Sequence, residues 1–168
     1  MNKQTTRQRG FSLIELMIVV TIIGIIVAVA VPNLMATRRA ANEASAQYSL
    51  RVMQGAQSGY QATKGAGAYA TLALLRTENY LDPVIGGDGV VTTTTKSGFS
   101  FSTTPIAATA TTSAQFYSTA VPIDITPTFR TGSRRFAMAE DAVLRGDTTI
   151  NVLPADRGAV LGMPVIGN

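Results

Sequence analysis

The chain holds 168 residues, with 14 Lys and Arg against 10 Asp and Glu and neither His nor Cys. Without thiols or imidazoles there is no disulfide framework, thiolate nucleophile, iron–sulfur cluster, thiolate zinc site or imidazole acid–base chemistry. The length suits one domain, and the basic excess is concentrated at the start: without Met1–Gly10, which hold Lys3, Arg7 and Arg9 and no acid, 11 bases face 10 acids.

After this basic leader, the 22 residues from Leu16 to Thr37 carry no charge and are mostly Ile, Val, Leu, Met and Ala. As a helix they would run roughly 33 Å, about one hydrocarbon core. The basic leader predicts a cytoplasmic N-terminus, with Arg38 and Arg39 on the far side weakening the bias. A plain signal anchor fits the hydropathy. A secretory signal cut near Ala28-Val29-Ala30 fits the small-residue pattern, but Glu15 and the length of the run fit it badly. Glu15 is the informative residue, because a carboxylate in a lipid-facing helix costs up to about 3 kcal/mol, less near a helix end. It is either an interfacial charge reaching the headgroups or a group awaiting an opposite charge at the same depth. Gly24 and Pro32 are the weak points of the helix, since Pro32 removes a backbone hydrogen bond and crowds the preceding turn.

Ala41, Ala44, Tyr48, Val52, Ala56 and Tyr60 recur at spacings of three and four, which predicts that one amphipathic helix continues from about Phe11 to about Thr63. Gly65-Ala66-Gly67-Ala68-Tyr69-Ala70 matches a dinucleotide-type string, but a helix precedes it where a strand is required, so it reads as a helix exit. Thr71–Arg76 can form a short helix, with Leu72 and Leu75 inward. Asp82-Pro83 and Gly86-Gly87-Asp88-Gly89 are loop signals. Glu78, Asp82 and Asp88 are too few for a calcium site. Alternation then predicts strands at Ser97–Thr103, Gln115–Val121 and Ser133–Ala139, and at Asp141–Arg145 after a turn at Glu140-Asp141, an antiparallel meander. An amphipathic helix and a half-polar sheet each need a cover and should pack on one another, giving an α+β head on a long helix. The hydroxyl-rich stretch Thr92–Thr119 reads as solvated strand and loop, with O-glycosylation as the sharper option. Tail residues Ile150, Val152, Leu153, Val160, Leu161 and Val165 are expected to hold Asp147–Asn168 by packing.

No catalytic constellation, cofactor motif or metal-ligand cluster is legible. Arg134 and Arg135 are adjacent strand residues and point to opposite faces, so they make no single phosphate patch. A single subunit lacks the basic stripe of a nucleic-acid binder, although a filament multiplies a weak site by repetition.

Gly10-Phe11-Ser12-Leu13-Ile14-Glu15, between a basic leader and an apolar run, resembles the signal of type IV prepilins and pseudopilins. The resemblance continues through Leu16-Met17-Ile18-Val19-Val20, Pro32-Asn33-Leu34 and Arg38-Arg39-Ala40-Ala41-Asn42-Glu43-Ala44-Ser45. It returns loosely at Gly132-Ser133-Arg134-Arg135-Phe136 and Asp141-Ala142-Val143-Leu144-Arg145. It implies a type IV pilin-like α+β fold, cleavage between Gly10 and Phe11, and methylation of the new Phe11 amine. It also implies pairing of Glu15 with the Phe11 amine of a neighbouring subunit, and loosening of the helix between Gly24 and Pro32 during assembly. The expected segments are a cleaved leader 1–10, a transmembrane and assembly helix 11–37 and a head 38–168. The implied role is a filament subunit, starting in the inner membrane. Its implied partners are its own copies, prepilin peptidase, an assembly platform and ATPases, minor pilins and an outer-membrane secretin. A type II secretion pseudopilin and a non-polymerising membrane-anchored binding domain are the competing roles. Unlike many relatives of this kind, the chain has no Cys to close its C-terminal region.

Overall fold

The computed structural model describes residues 10–86 and 93–166, so Lys3, Arg7, Arg9 and the Asp88 loop lie outside the described residues. The chain divides into two units, Met1–Thr37 and Arg38–Asn168. Helix α1 (Leu13–Ala62) contributes to both.

In the first unit every large apolar side chain from Phe11 to Leu34 is exposed. A helix that is apolar on all sides must be covered by lipid or by other chains. Thr21 and Thr37 turn their hydroxyls back onto the carbonyls of Met17 (2.8 Å) and Asn33 (2.9 Å), so neither hydroxyl needs a partner outside the helix. Helical residues lie on both sides of Gly24 and of Pro32.

The second unit is α+β. The rest of α1 is followed by α2 (Leu72–Thr77), α3 (Pro83–Gly86) and five strands: β1 (Thr93–Lys96), β2 (Phe99–Ile106), β3 (Gln115–Pro122), β4 (Arg135–Ala139) and β5 (Leu144–Asp147). A last short helix, α4 (Arg157–Leu161), closes the order. The sheet is an antiparallel meander in the order β1-β2-β3-β4-β5. One face packs Phe99, Phe101, Ala120, Phe136, Met138 and Leu144 against Ala46, Leu50, Met53 and Ala56 of α1 and Leu72 and Leu75 of α2. The other face packs Ala137 and Ala139 against Val160 and Met163. Covered on both faces, β4 is buried from Phe136 to Ala139.

The buried face of α1 differs from the expected stripe. Ala56 is buried as expected and Val52 and Tyr60 pack against the core, but Ala41, Ala44 and Tyr48 are exposed, and Glu43, Ala46, Ser49, Leu50, Met53 and Gln57 are buried instead. The helix is turned so that three polar side chains enter the interior, of which Glu43 and Gln57 find partners there and Ser49 finds none among the described residues. Gln57 donates to the Ala70 carbonyl (2.6 Å) and accepts from the Ala70 N–H (2.9 Å), tying the helix exit back onto α1. Hydrophobic periodicity discards such residues, since it scores their polarity rather than their partners.

Two strands also shift. β1 was not expected; Ser97 (φ 49°) and Gly98 (φ 73°) make a two-residue hairpin turn that moves the second strand's start to Phe99, opposite Lys96. The expected turn at Glu140-Asp141 is present but runs on, with Ala142 at φ 58° and Asp141 accepting from the Val143 N–H (3.1 Å), so β5 starts at Leu144. The Gly65–Ala70 string is a helix exit, with the N–H of Gly65 (2.8 Å) and of Gly67 (3.1 Å) returning to carbonyls of Tyr60 and Gln61.

Candidate functional site

The N-terminal site is local in sequence and open to its surroundings. Gly10 has clear space where a side chain would sit, and Phe11 is 82% exposed. Ser12 then caps α1. The Ser12 N–H and hydroxyl donate to Glu15 Oε2 (2.9 and 2.7 Å), and the Glu15 N–H returns to Ser12 Oγ (3.3 Å). This is a capping box, and it satisfies two donors that a helix start leaves orphaned. The pattern Ser-x-x-Glu ahead of an apolar run was present in the sequence and is the signal that could have found it. Glu15 therefore has hydrogen-bond partners within its own chain and, among the described residues, no ion pair. Gly24 and Pro32 lie farther along α1 and join no polar cluster with it.

A second cluster ties α1 to the sheet within the head. Glu43, 6% exposed, accepts from the Ser133 N–H (2.7 Å) and hydroxyl (2.6 Å) through Oε1. Its Oε2 accepts from Arg134 Nε (3.3 Å) and Nη2 (3.2 Å). Asn42 donates to the Thr131 carbonyl (3.0 Å), and Ser45 bonds Ser97 (3.0 Å). The two sequence phrases around Glu43 and Ser133 are thus one contact, ninety residues apart. Sequence reading quoted both and missed their junction, because nothing local to either names the other.

Arg134 lies 5.7 Å from the Phe136 ring centroid, on the α1 face. Arg135 faces the other way and pairs with Asp147 (2.8 Å) and with the Val152 carbonyl. That second contact begins the anchoring of the Cys-free tail. Asp156 caps α4 at the Ala159 N–H (2.8 Å), Arg157 pairs with Glu140, and Val160 and Met163 fill the far face of the sheet. Pro164 and Ile166 exchange backbone bonds with Gly146 and Leu144 (3.0 Å each). Of the tail residues expected to pack, Val152, Leu153 and Val165 are more than half exposed. Hydrogen bonds and ion pairs do the work assigned to them. The ion pairs also set acidities. Arg145 holds the Asp141 carboxyl, and Arg135 the Asp147 carboxyl, below the ordinary range. Burial opposes ionisation of Glu140, but Arg157 outweighs it and lowers that group as well.

Nothing in these clusters is arranged for covalent chemistry. Among the described residues no three Asp or Glu gather as metal ligands.

Residues 5–31 match the family model of the prokaryotic N-terminal methylation motif. The start of the chain thus carries the pattern of a prokaryotic N-terminal methylation motif. It is 43% identical over 58 residues to the type IV major pilin protein PilA of Myxococcus xanthus, covering 34% of this chain and 26% of that one. It is 36% identical over 59 residues to the type II secretion system core protein G of Escherichia coli (35% of this chain, 41% of that one). It is 38% identical over 55 residues to the corresponding Klebsiella pneumoniae protein (33% and 39%). The matches thus span about a quarter to two fifths of these curated relatives. No solved structure matches the chain.

Proposed function

We propose that the chain is a structural subunit of a type IV pilus, held in the inner membrane with its N-terminus cytoplasmic until it is drawn into a helical filament. One observation carries this reading: a run of apolar side chains from Phe11 to Leu34, exposed throughout and headed by a single charged residue, Glu15. Lipid covers such a helix in the monomer; neighbouring copies cover it in an assembly. Cleavage between Gly10 and Phe11 creates an α-amino group four residues before Glu15, and methylation follows at Phe11. The amine of one subunit and the Glu15 carboxylate of the next then neutralise each other at one depth, which sets the register of addition. Ser12 holds the carboxylate in place meanwhile. Gly24 and Pro32 are where α1 loosens during packing. Prepilin peptidase, an assembly platform with its ATPases, minor pilins and an outer-membrane secretin are the partners this role requires.

The matches to two type II secretion core proteins favour a second reading, a pseudopilin with the same membrane segment. Electron microscopy of sheared cell-surface material separates the two. Abundant thin fibres containing this chain are expected. Fibres missing, with secretion of other proteins lost on deletion, would establish the pseudopilin instead.

A further inference from the structure

The head is polarised along its strands. One end carries the β2–β3 connection, where residues 107–113 are exposed and are all Ala, Thr or Ser, and the Glu140-Asp141 turn. The other end carries the β1–β2 turn, the exit of β3, the entry of β4 and the chain after β5. Among the described residues of the head, ten large apolar side chains are exposed, and five belong to this second end: Ile123, Ile125, Phe129, Val152 and Leu153. Four of them line one groove of about 290 Å³, together with Val121, Pro122 and Ile150. Phe129, at 70%, is the most exposed large apolar residue of the head.

Phe129 is presented by a closed loop. Thr131 N–H donates to the Asp124 carbonyl (2.9 Å), Arg130 N–H to the Thr126 carbonyl (2.8 Å), and the Asp124 carboxylate takes the Thr126 N–H (2.9 Å). The base of the loop is bound to α1 by Asn42, which donates to the Thr131 carbonyl (3.0 Å). Asn42 follows Thr37, the last residue of the uncharged run, by five positions, about 7.5 Å of helix rise. The exposed Arg38 lies between them. The apolar end of the head is therefore the end at which the head's own share of α1 begins. Its flanking charge is mainly basic: Arg134 and Arg135 are paired with Glu43 and Asp147, which leaves Arg38, Lys96 and Arg130 against Asp124.

We infer that the Phe129 loop and the adjoining Ile123–Leu153 groove form a membrane-resting foot: in the unassembled subunit they enter the headgroup region of an anionic bilayer, with the basic residues on its phosphates. An aromatic side chain and a few aliphatic ones at headgroup depth, flanked by Arg and Lys, is the composition an interface selects. The foot holds the head against the bilayer until filament entry lifts it off. The inference rests on the membrane reading of α1, and its test must separate the two.

The chain has no Trp, so a single introduced Trp reports one position. Full-length chain is reconstituted into phosphatidylethanolamine–phosphatidylglycerol vesicles, with and without brominated acyl chains. Phe129→Trp and Ile125→Trp are the foot reporters. Val27→Trp reports the spanning run, and Leu74→Trp on α2 reports solvent. The expected result is blue-shifted emission, quenched by brominated lipid, for Phe129→Trp, Ile125→Trp and Val27→Trp, with Leu74→Trp red and unquenched. Red, unquenched emission at 129 and 125 with Val27→Trp quenched would overturn the foot alone. Failure of Val27→Trp to quench would overturn the membrane reading and the foot with it. A blue shift at 129 without quenching, growing with protein density, would assign the surface to a second copy and refute the lipid proposal.

Discussion

A Glu15→Ala chain is expected to be made, inserted and processed, yet to be missing from filaments. The substitution removes a charge that is costly in lipid, so the isolated subunit gains in membrane stability rather than losing. What it loses is the one feature that distinguishes the correct axial offset between two otherwise uniform apolar helices. A close charge pair at an interface contributes roughly 1.5 kcal/mol or more, a tenfold change in the equilibrium of each addition. A filament repeats that step at every subunit, so sheared fibres should fall below detection rather than decline in proportion. The Ser12–Glu15 capping box supplies the control. Ser12→Ala removes the cap, costs about 1 kcal/mol at the helix start and keeps the carboxylate, so it should still assemble. Equal loss in both variants would show that helix capping, not charge pairing, is what assembly needs.

The second large effect is in the head. Glu43→Ala is expected to lower the stability of the Arg38–Asn168 unit by about 2 kcal/mol, because the Ser133 N–H and hydroxyl lose their charged acceptor. Arg134 contributes less, since its side chain is 44% exposed and water can replace the carboxylate. In urea the midpoint should move down by about 1 M, followed by circular dichroism of the full chain in detergent. Glu43→Gln keeps an acceptor for Ser133 and should recover most of the loss. A midpoint unchanged in Glu43→Ala would mean that the polar junction between α1 and the start of β4 adds nothing to the packing of Leu50 and Met53 beneath it.

These two residues also mark how far the sequence could be read. The membrane-length run, the helix past it and the meander follow from periodicity, and Glu15 stood out because charge is rare in such a run. The head of the helix was harder. Its buried face was assigned to Ala41, Ala44 and Tyr48 because they are the less polar choice, yet Glu43, Ser49 and Gln57 go inward. A buried polar residue is favourable only with its partner, and the partners of Glu43 and Gln57 are Ser133 with Arg134, and the Ala70 backbone. One lies ninety positions away, and the other is a backbone that any residue could supply. The strand limits failed for a related reason. Ser97 and Ala142 adopt positive φ without being Gly, so alternation alone does not show where each strand gives way to its turn. At the candidate site the spacing of Gly10, Phe11 and Glu15 was legible, and the matched motif at residues 5–31 covers it. The Ser12 cap was equally legible and passed unnoticed. The tail's attachment was not, because it depends on Arg135 reaching the Val152 carbonyl and on Ile166 pairing with Leu144 across the fold.

The account depends on an amine appearing within reach of a carboxylate whose partner, among the described residues of its own chain, is the neutral Ser12. The mass of the N-terminal peptide of the protein purified from its cells tests this most directly. The predicted result is a chain starting at Phe11 and carrying one methyl group. A chain that still starts at Met1, or one that starts at Val31 with Glu15 removed, would contradict it.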